Sequence, residues 1–206
     1  AGDADRPFTI QSISKPLTFG MAIEAFGHTK VAQHVGVEPS GEGFNWIRLQ
    51  EGENRPHNPM VNAGAISFSA LLYDRYGEKA IDRVLDRLSA AVGRRLEFDH
   101  DVFESERRTG HRNRAIAHLL LNFGIVQAEA ELALDVYFKQ CSILVTCRDL
   151  ATIGATLSNM GRHPQTGEQV FDLDAVKSML SIMFTCGMYD YSGEWAYRVG
   201  VPAKSG

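Results

Sequence analysis

Ser12 and Lys15 stand three residues apart in Gln11-Ser12-Ile13-Ser14-Lys15-Pro16. On a helix that spacing puts two side chains on one face, about 5–6 Å apart. A serine hydroxyl attacks a carbonyl poorly until a base sits against it, and a desolvated lysine with a lowered pKa can be that base. The pair alone says little: thirteen serines and six lysines yield roughly 0.4 such spacings by chance, and a helix cap followed by a surface lysine is the simpler account. It gains weight from a second lysine and serine near the far end, in Lys204-Ser205-Gly206. Between them lie other polar positions with two readings each. Asn62 opens a helix rich in small residues and reads structurally as its N-cap. Glu106 and Asn113 fall in a dense polar cluster, for which a solvated helix face is the default. They are seven apart and would share a face of one continuous helix, although Gly110 between them can break it. Tyr137 sits in an apolar helix as a core tyrosine would. Tyr189 follows a helix stop and can be a loop aromatic.

The elements that must position these groups are mostly helical. After a short extended piece, Pro7 to Gln11, a buried helix starts near Ser12; Pro16 lies in its first turn, Leu17, Phe19, Met21, Ala22, Ile23 and Phe26 follow, and Gly27 closes it. From Val35 to Asn62 the chain is rich in Gly, Pro, Asn and Glu, a long irregular excursion of the kind that is usually functional. Helical periodicity then predicts helices over 63–76, 78–92, 101–109, 111–123, 129–141, 147–160 and 173–186. Thr146 with Asp149 three later resembles a capping box at the sixth of these. Trp195-Ala196-Tyr197-Arg198-Val199 alternates large with small or polar residues, which predicts a closing strand before Gly200-Val201-Pro202.

Composition bounds the function. The 206 residues carry a formal charge of −4, with 44% apolar and 22% charged residues, an ordinary globular balance for one large domain or most of one. No repeat or long linker divides it. A mildly acidic chain with interspersed charges gives no footprint for nucleic acid or for an anionic membrane surface, and no apolar run approaches the ~18 residues of a membrane span. Cys141, Cys147 and Cys186 cannot all pair and lack metal-ligand spacing, so they read as reduced thiols of a cytoplasmic or organellar protein. The polar stub Ala1-Gly2-Asp3-Ala4-Asp5 and the stop at Gly206 read as cut ends.

An S-x-x-K helix followed much later by K-[ST]-G on a strand is the pairing used by penicillin-recognising serine acyl-transferases. The intervening text narrows the choice. Gln11 to Pro16, Val35-Gly36-Val37-Glu38-Pro39-Ser40-Gly41, Asn58 to Ile66, Glu104 to Asn113, Cys186 to Asp190 and Pro202 to Gly206 stand in the order found in the glutaminase family, which this chain resembles over essentially all its length. The resemblance implies an α/β fold like that of the serine β-lactamases and penicillin-binding proteins, a helical subdomain against an antiparallel sheet flanked by helices. Residues 1–206 would be the central part of one such domain, mostly α with a β end, its N- and C-terminal flanks lying outside them.

The resemblance also implies hydrolysis of L-glutamine to L-glutamate and ammonia, without cofactor or metal, by a homodimer or homotetramer. Carried over position by position, Ser12 is the nucleophile, Lys15 its base and Tyr189 a proton relay. Ser12, Asn62, Glu106, Asn113, Tyr137 and Tyr189 match substrate-contacting positions. These residue types suit an α-amino acid, since Glu106 can hold an ammonium while amides and phenols donate to a carboxylate. The family's further tyrosine, ahead of Ser12, and its valine just after K-S-G fall outside these residues. With an oxyanion-hole donor expected beyond Gly206, the 206 residues alone are expected to be poorly soluble and inactive. Two alternatives use the same residues: a β-lactamase or D,D-peptidase, against which the anionic Glu106 argues, and a noncatalytic relative serving as an interaction module.

Overall fold

The structure, a computed structural model, describes residues 2–41, 43, 46–127 and 129–206. Among these, helices dominate: α1 (Lys15–Ala32), α2 (Asn62–Tyr76), α3 (Ala80–Val92), α4 (His100–Thr109), α5 (His111–Asn122), α6 (Ala130–Cys141), α7 (Cys147–Ser158), α8 (Leu173–Cys186) and α9 (Ser192–Arg198). All seven helices expected from periodicity after residue 62 are present, with ends within about two residues. The expected helix from Ser12 begins as a 3-10 turn over Gln11–Ser14 and becomes α-helical at Lys15. Gly27 breaks it at φ 75°, ψ 162°, beyond which a last helical piece runs to Ala32.

α2 is the axis of the packing. Every residue from Asn62 to Leu72 is buried, and the helix lies against α1, α5 and α6. A helix surrounded on all sides has no solvent face to pattern, and its Gly64, Ala63, Ala65, Ser67 and Ser69 let the neighbouring backbones come close. Phe68, Phe138, Leu17, Ile66 and Leu120 fill the space around it without exposure to solvent. α8 packs along α1. Thr146 and Asp149 form the capping box expected at α7: the Asp149 carboxylate accepts from the Thr146 backbone N–H at 2.7 Å, and the Asp149 N–H donates to the Thr146 hydroxyl.

Strand structure is slight. β1 (Phe8–Thr9) pairs antiparallel with β2 (Leu144–Val145), Phe8 opposite Val145 and Thr9 opposite Leu144. Just beyond, the Ile10 N–H donates to the Ile143 carbonyl. This ladder fixes the chain immediately before Ser12 to the chain just after α6.

The strand expected over Trp195–Val199 is instead α9 with its C-cap. Its alternation of sizes does not correspond to an alternation of burial, for Tyr197 is 90% exposed, and Glu194 pairs with Arg198 one helical turn on. Five residues are too few for period 2 to exclude period 3.6. The described residues of the excursion between α1 and α2 hold neither helix nor strand; positions 42, 44 and 45 of that excursion lie outside the described residues, as does Ala1 of the N-terminal stub. Its two ends are tied together, Gly36 N–H to the Pro56 carbonyl, Glu38 N–H to the His57 carbonyl, and the Asn58 side-chain amide to the Glu38 carbonyl. No described helix is long and apolar enough to cross a membrane.

Candidate active site

Ser12 rides on the 3-10 turn directly after Gln11, whose φ of 48° is rare for a residue with a side chain. One turn on, Lys15 is completely buried. Its Nζ donates to two acceptors, the Met60 carbonyl at 3.0 Å and the Asn62 side-chain oxygen at 2.7 Å. No carboxylate pairs with it among the described residues, and burial holds its pKa down at about 8, opposed only by the nearby Cys141 thiol. The lysine therefore gives up its proton much more readily than an exposed one.

Asn62 does not cap α2. Val61 holds the extended N-cap position and Asn62 is the first helical residue, so its amide is free to reach sideways. Its oxygen takes the Lys15 hydrogen bond while its nitrogen donates to the Asn113 side-chain oxygen at 3.0 Å. Asn113 lies in the first turn of α5. Gly110 does break the polar cluster into two helices, with α4 ending at Thr109 and α5 starting at His111. A side chain at Gly110 would come within 2.5 Å of the Phe138 ring and 2.6 Å of the Glu106 carbonyl, so only glycine lets the corner seat against α6. Glu106, in the last turn of α4, is partly buried, its pKa is raised by burial, and its carboxylate makes no ion pair or hydrogen bond among the described residues.

α6 supplies Tyr137, which is buried as a core tyrosine would be but keeps its hydroxyl in a hydrogen bond with the Cys141 thiol one turn on. Burial pushes the Tyr137 phenol well above its usual range and the thiol to about 11. Both groups feel the charge of Glu106, and Tyr137 also that of Tyr189.

Tyr189 stands on a 3-10 turn after α8, at a φ of 57°. Its hydroxyl shares a hydrogen bond with the Ser12 side chain, and burial raises its pKa to about 12. The ring lies 5.9 Å from Lys15 Nζ. The same hydroxyl accepts a hydrogen bond from Lys204 Nζ at 2.6 Å. Burial, and then the positive charge of Lys15, bring Lys204 down to about 6. The chain carrying Lys204 is brought in by Gly187: the Ser205 N–H donates to its carbonyl, and a side chain there would meet the Ala203 carbonyl oxygen at 1.8 Å.

Of the seven site residues expected from the sequence, Ser12–Tyr189 and Lys15–Asn62–Asn113 are joined by hydrogen bonds, with Lys15 near the Tyr189 ring; Tyr137 is tied to Cys141 and feels the charges of Tyr189 and Glu106, while Glu106 makes no direct bond to the rest. Sequence reasoning noted K-S-G as a motif but omitted Lys204 from the site, and it read Cys141 only as a reduced thiol, although its place four residues after Tyr137 puts the two on one helix face. Among the described residues no cluster of His, Cys, Asp or Glu could hold a metal ion, and Cys141, Cys147 and Cys186 are free thiols.

The glutaminase family model matches residues 1–206. Glutaminase of Trichormus variabilis is 52% identical over 205 residues, a match covering 100% of this chain and 61% of that protein. Glutaminase 2 of Bradyrhizobium diazoefficiens is 55% identical over 205 residues, covering 100% of this chain and 33% of its own length. A crystal structure of Bacillus glutaminase superposes with a TM-score of 0.95 at 42% identity, covering 100% of this chain and 70% of the other. The chain belongs to the glutaminase family, and it spans about three-fifths of the length of the Trichormus relative.

Proposed function

We propose that this chain forms the catalytic part of a glutaminase that hydrolyses L-glutamine to L-glutamate and ammonia through a serine acyl-enzyme. The observation that carries the reading is the state of Lys15. A buried primary amine whose two N–H bonds are used by the Met60 carbonyl and the Asn62 side chain keeps one lone pair over, and it has no carboxylate to hold it protonated. That is what a general base for Ser12 requires.

In the first half-reaction the Ser12 oxygen bonds to the side-chain amide carbon while its proton passes to Lys15, directly or through Tyr189. Collapse of the tetrahedral adduct breaks the C–N bond, the same proton goes to the leaving nitrogen, and ammonia departs. A water molecule then repeats the sequence on the ester: its proton goes to the base, its oxygen to the acyl carbon, and Ser12 leaves with its proton restored. The unpaired carboxylate of Glu106 suits the substrate's α-ammonium; Asn62, Asn113 and Tyr137 suit its α-carboxylate. Lys204 holds Tyr189 against Ser12. The finer fold reading, a β-lactamase-like domain of which these helices form the larger part, is supported by the S-x-x-K and K-S-G segments meeting at Tyr189. A homodimer or homotetramer in the cytoplasm is the assembly we propose with it, and light scattering on the purified protein measures its size.

Ser12→Ala and Lys15→Ala in the full-length enzyme test the mechanism. Each should reduce ammonia release by several powers of ten while glutamine still binds; turnover near wild type in either would overturn it. A chromogenic β-lactam should be left intact.

A further inference from the structure

Gln140 is as buried as Lys15, at 0% exposure, and belongs to none of the groups assigned above. Its side-chain nitrogen donates to the Ser14 hydroxyl at 2.9 Å, and that hydroxyl in turn donates to the Gln11 carbonyl at 2.6 Å. Ser14 is itself completely buried. The order of donors is fixed by chemistry: a hydroxyl has one proton, so the Gln11 carbonyl receives it only if Gln140 approaches Ser14 as a donor. Gln11 is the residue held at φ 48° immediately before Ser12. The other end of the Gln140 amide, Oε1, is buried without a partner. An unmatched buried carbonyl is unfavourable to folding, and leucine or methionine would fill the same space without it.

We propose that Gln140 is a positioning residue for the nucleophile: through Ser14 it clamps the carbonyl of the left-handed Gln11 and so sets the direction in which Ser12 presents its hydroxyl to the substrate and to Tyr189. Because Tyr137 lies one helical turn earlier on α6, the same helix fixes the pocket wall and the nucleophile's turn in one frame. The inference rests on Ser12 being the nucleophile.

The test is Gln140→Met in the full-length enzyme, with Ser14→Ala and the double variant beside it. Substrate-holding groups are untouched, so KM for glutamine should stay within about twofold, while kcat falls ten- to a hundredfold, the loss that a displacement of the order of 1 Å produces. Thermal stability of Gln140→Met should equal or exceed wild type because the unmatched carbonyl is gone, whereas a merely structural glutamine would show the reverse. Ser14→Ala should lower kcat similarly, and the double variant no further, since both act through one hydrogen-bonded chain. Gln140→Glu should not rescue, because its carboxylate would take the Ser14 proton away from Gln11. Wild-type kcat in Gln140→Met, or fully additive losses, would overturn the proposal. Should Ser12→Ala retain activity, the nucleophile assignment fails first; should it be inactive while Gln140→Met is normal, the clamp alone fails.

Discussion

Lys204 Nζ lies 2.6 Å from the Tyr189 hydroxyl and 4.2 Å from the centre of the same ring. One amine thus touches both the edge and the face of the phenol that hydrogen-bonds Ser12. Lys15 Nζ lies 5.9 Å from the centre of that ring, so two lysines stand close to one tyrosine, and burial keeps both below their ordinary value of 10.5. Two full charges so close in a dry site would repel, and the depressed pKa values remove that repulsion.

Activity should therefore rise with pH. A base that must be unprotonated, with a pKa of about 8, gives kcat/KM an ascending limb centred near pH 8 in a stopped ammonia assay. The stability sign is the same. Both lysines bind protons more weakly folded than unfolded, so stability grows as pH rises from about 6 towards 10.5 on account of Lys204, and from about 8 on account of Lys15. Lys204→Met should lower kcat and flatten that slope in urea titrations; an unchanged slope would contradict the burial of its charge.

Gly187→Ala should disable the site without touching it. The added methyl would stand 1.8 Å from the Ala203 carbonyl oxygen, so the segment carrying Lys204 must move away from Tyr189. Overpacking of this kind costs about 1–3 kcal/mol, and loss of the Lys204 contact should reduce kcat by ~10²-fold. Circular dichroism and ammonia release read the two effects separately.

Glu106→Gln should raise KM about tenfold or more and lower kcat, if Glu106 holds the α-ammonium as proposed and so orients the whole substrate. Burial raises the Glu106 pKa, so KM in the wild type should climb on acidification as the proposed anchor is protonated, at a higher pH than an exposed glutamate would need. A pocket that fixes both α-groups measures the length of the side chain, and asparagine, one methylene shorter, should be disfavoured by ~10² in kcat/KM. Competition between the two amides measures this.

Asp149→Asn should destabilise the helical part at neutral pH. Burial alone would raise the Asp149 pKa, but the hydrogen bonds from Arg94, at 2.9 Å to one oxygen, and from Thr146 overcome it and leave the carboxyl below 3.8. The resulting stabilisation is present above pH 3.8 and is lost as pH falls through the depressed value. Losing the capping charge should cost about 1–3 kcal/mol at pH 7, and the gap between variant and wild type should close in acid; urea midpoints at pH 7 and pH 3 test it.

Helices carried most of what could be read from residue order, because a buried face recurs every three or four residues whatever it packs against. The α4–α5 corner was legible for the same reason, with Gly110 marking the break. Trp195–Val199 was not, since a short run of mixed sizes fits either period until its neighbours are known. In the site, the Ser12–Lys15 spacing was a weak signal by itself and gained weight from K-S-G and the family resemblance, and Tyr189 stood out only within a segment of that resemblance. Asn62 was open to the capping explanation, which needs the backbone angles of Val61 to dismiss. Gln140 gave no signal at all: its partner Ser14 is 126 residues away, and a lone glutamine in an apolar helix looks like a polar residue facing water.

That separation also orders events as the chain folds. The turn bearing Ser12 is fastened by β1 to β2 and by Ser14 to Gln140, contacts that close a loop of well over half the chain, whereas α2 to α6 can associate through nearer neighbours. Long loop closures come late because their entropy must be met before their contacts form. The turn carrying Ser12 should therefore be among the last parts to reach its native setting, and a partly folded chain, helical as it would look, would lack the contact of Ser12 with Tyr189 on which the proposed chemistry depends.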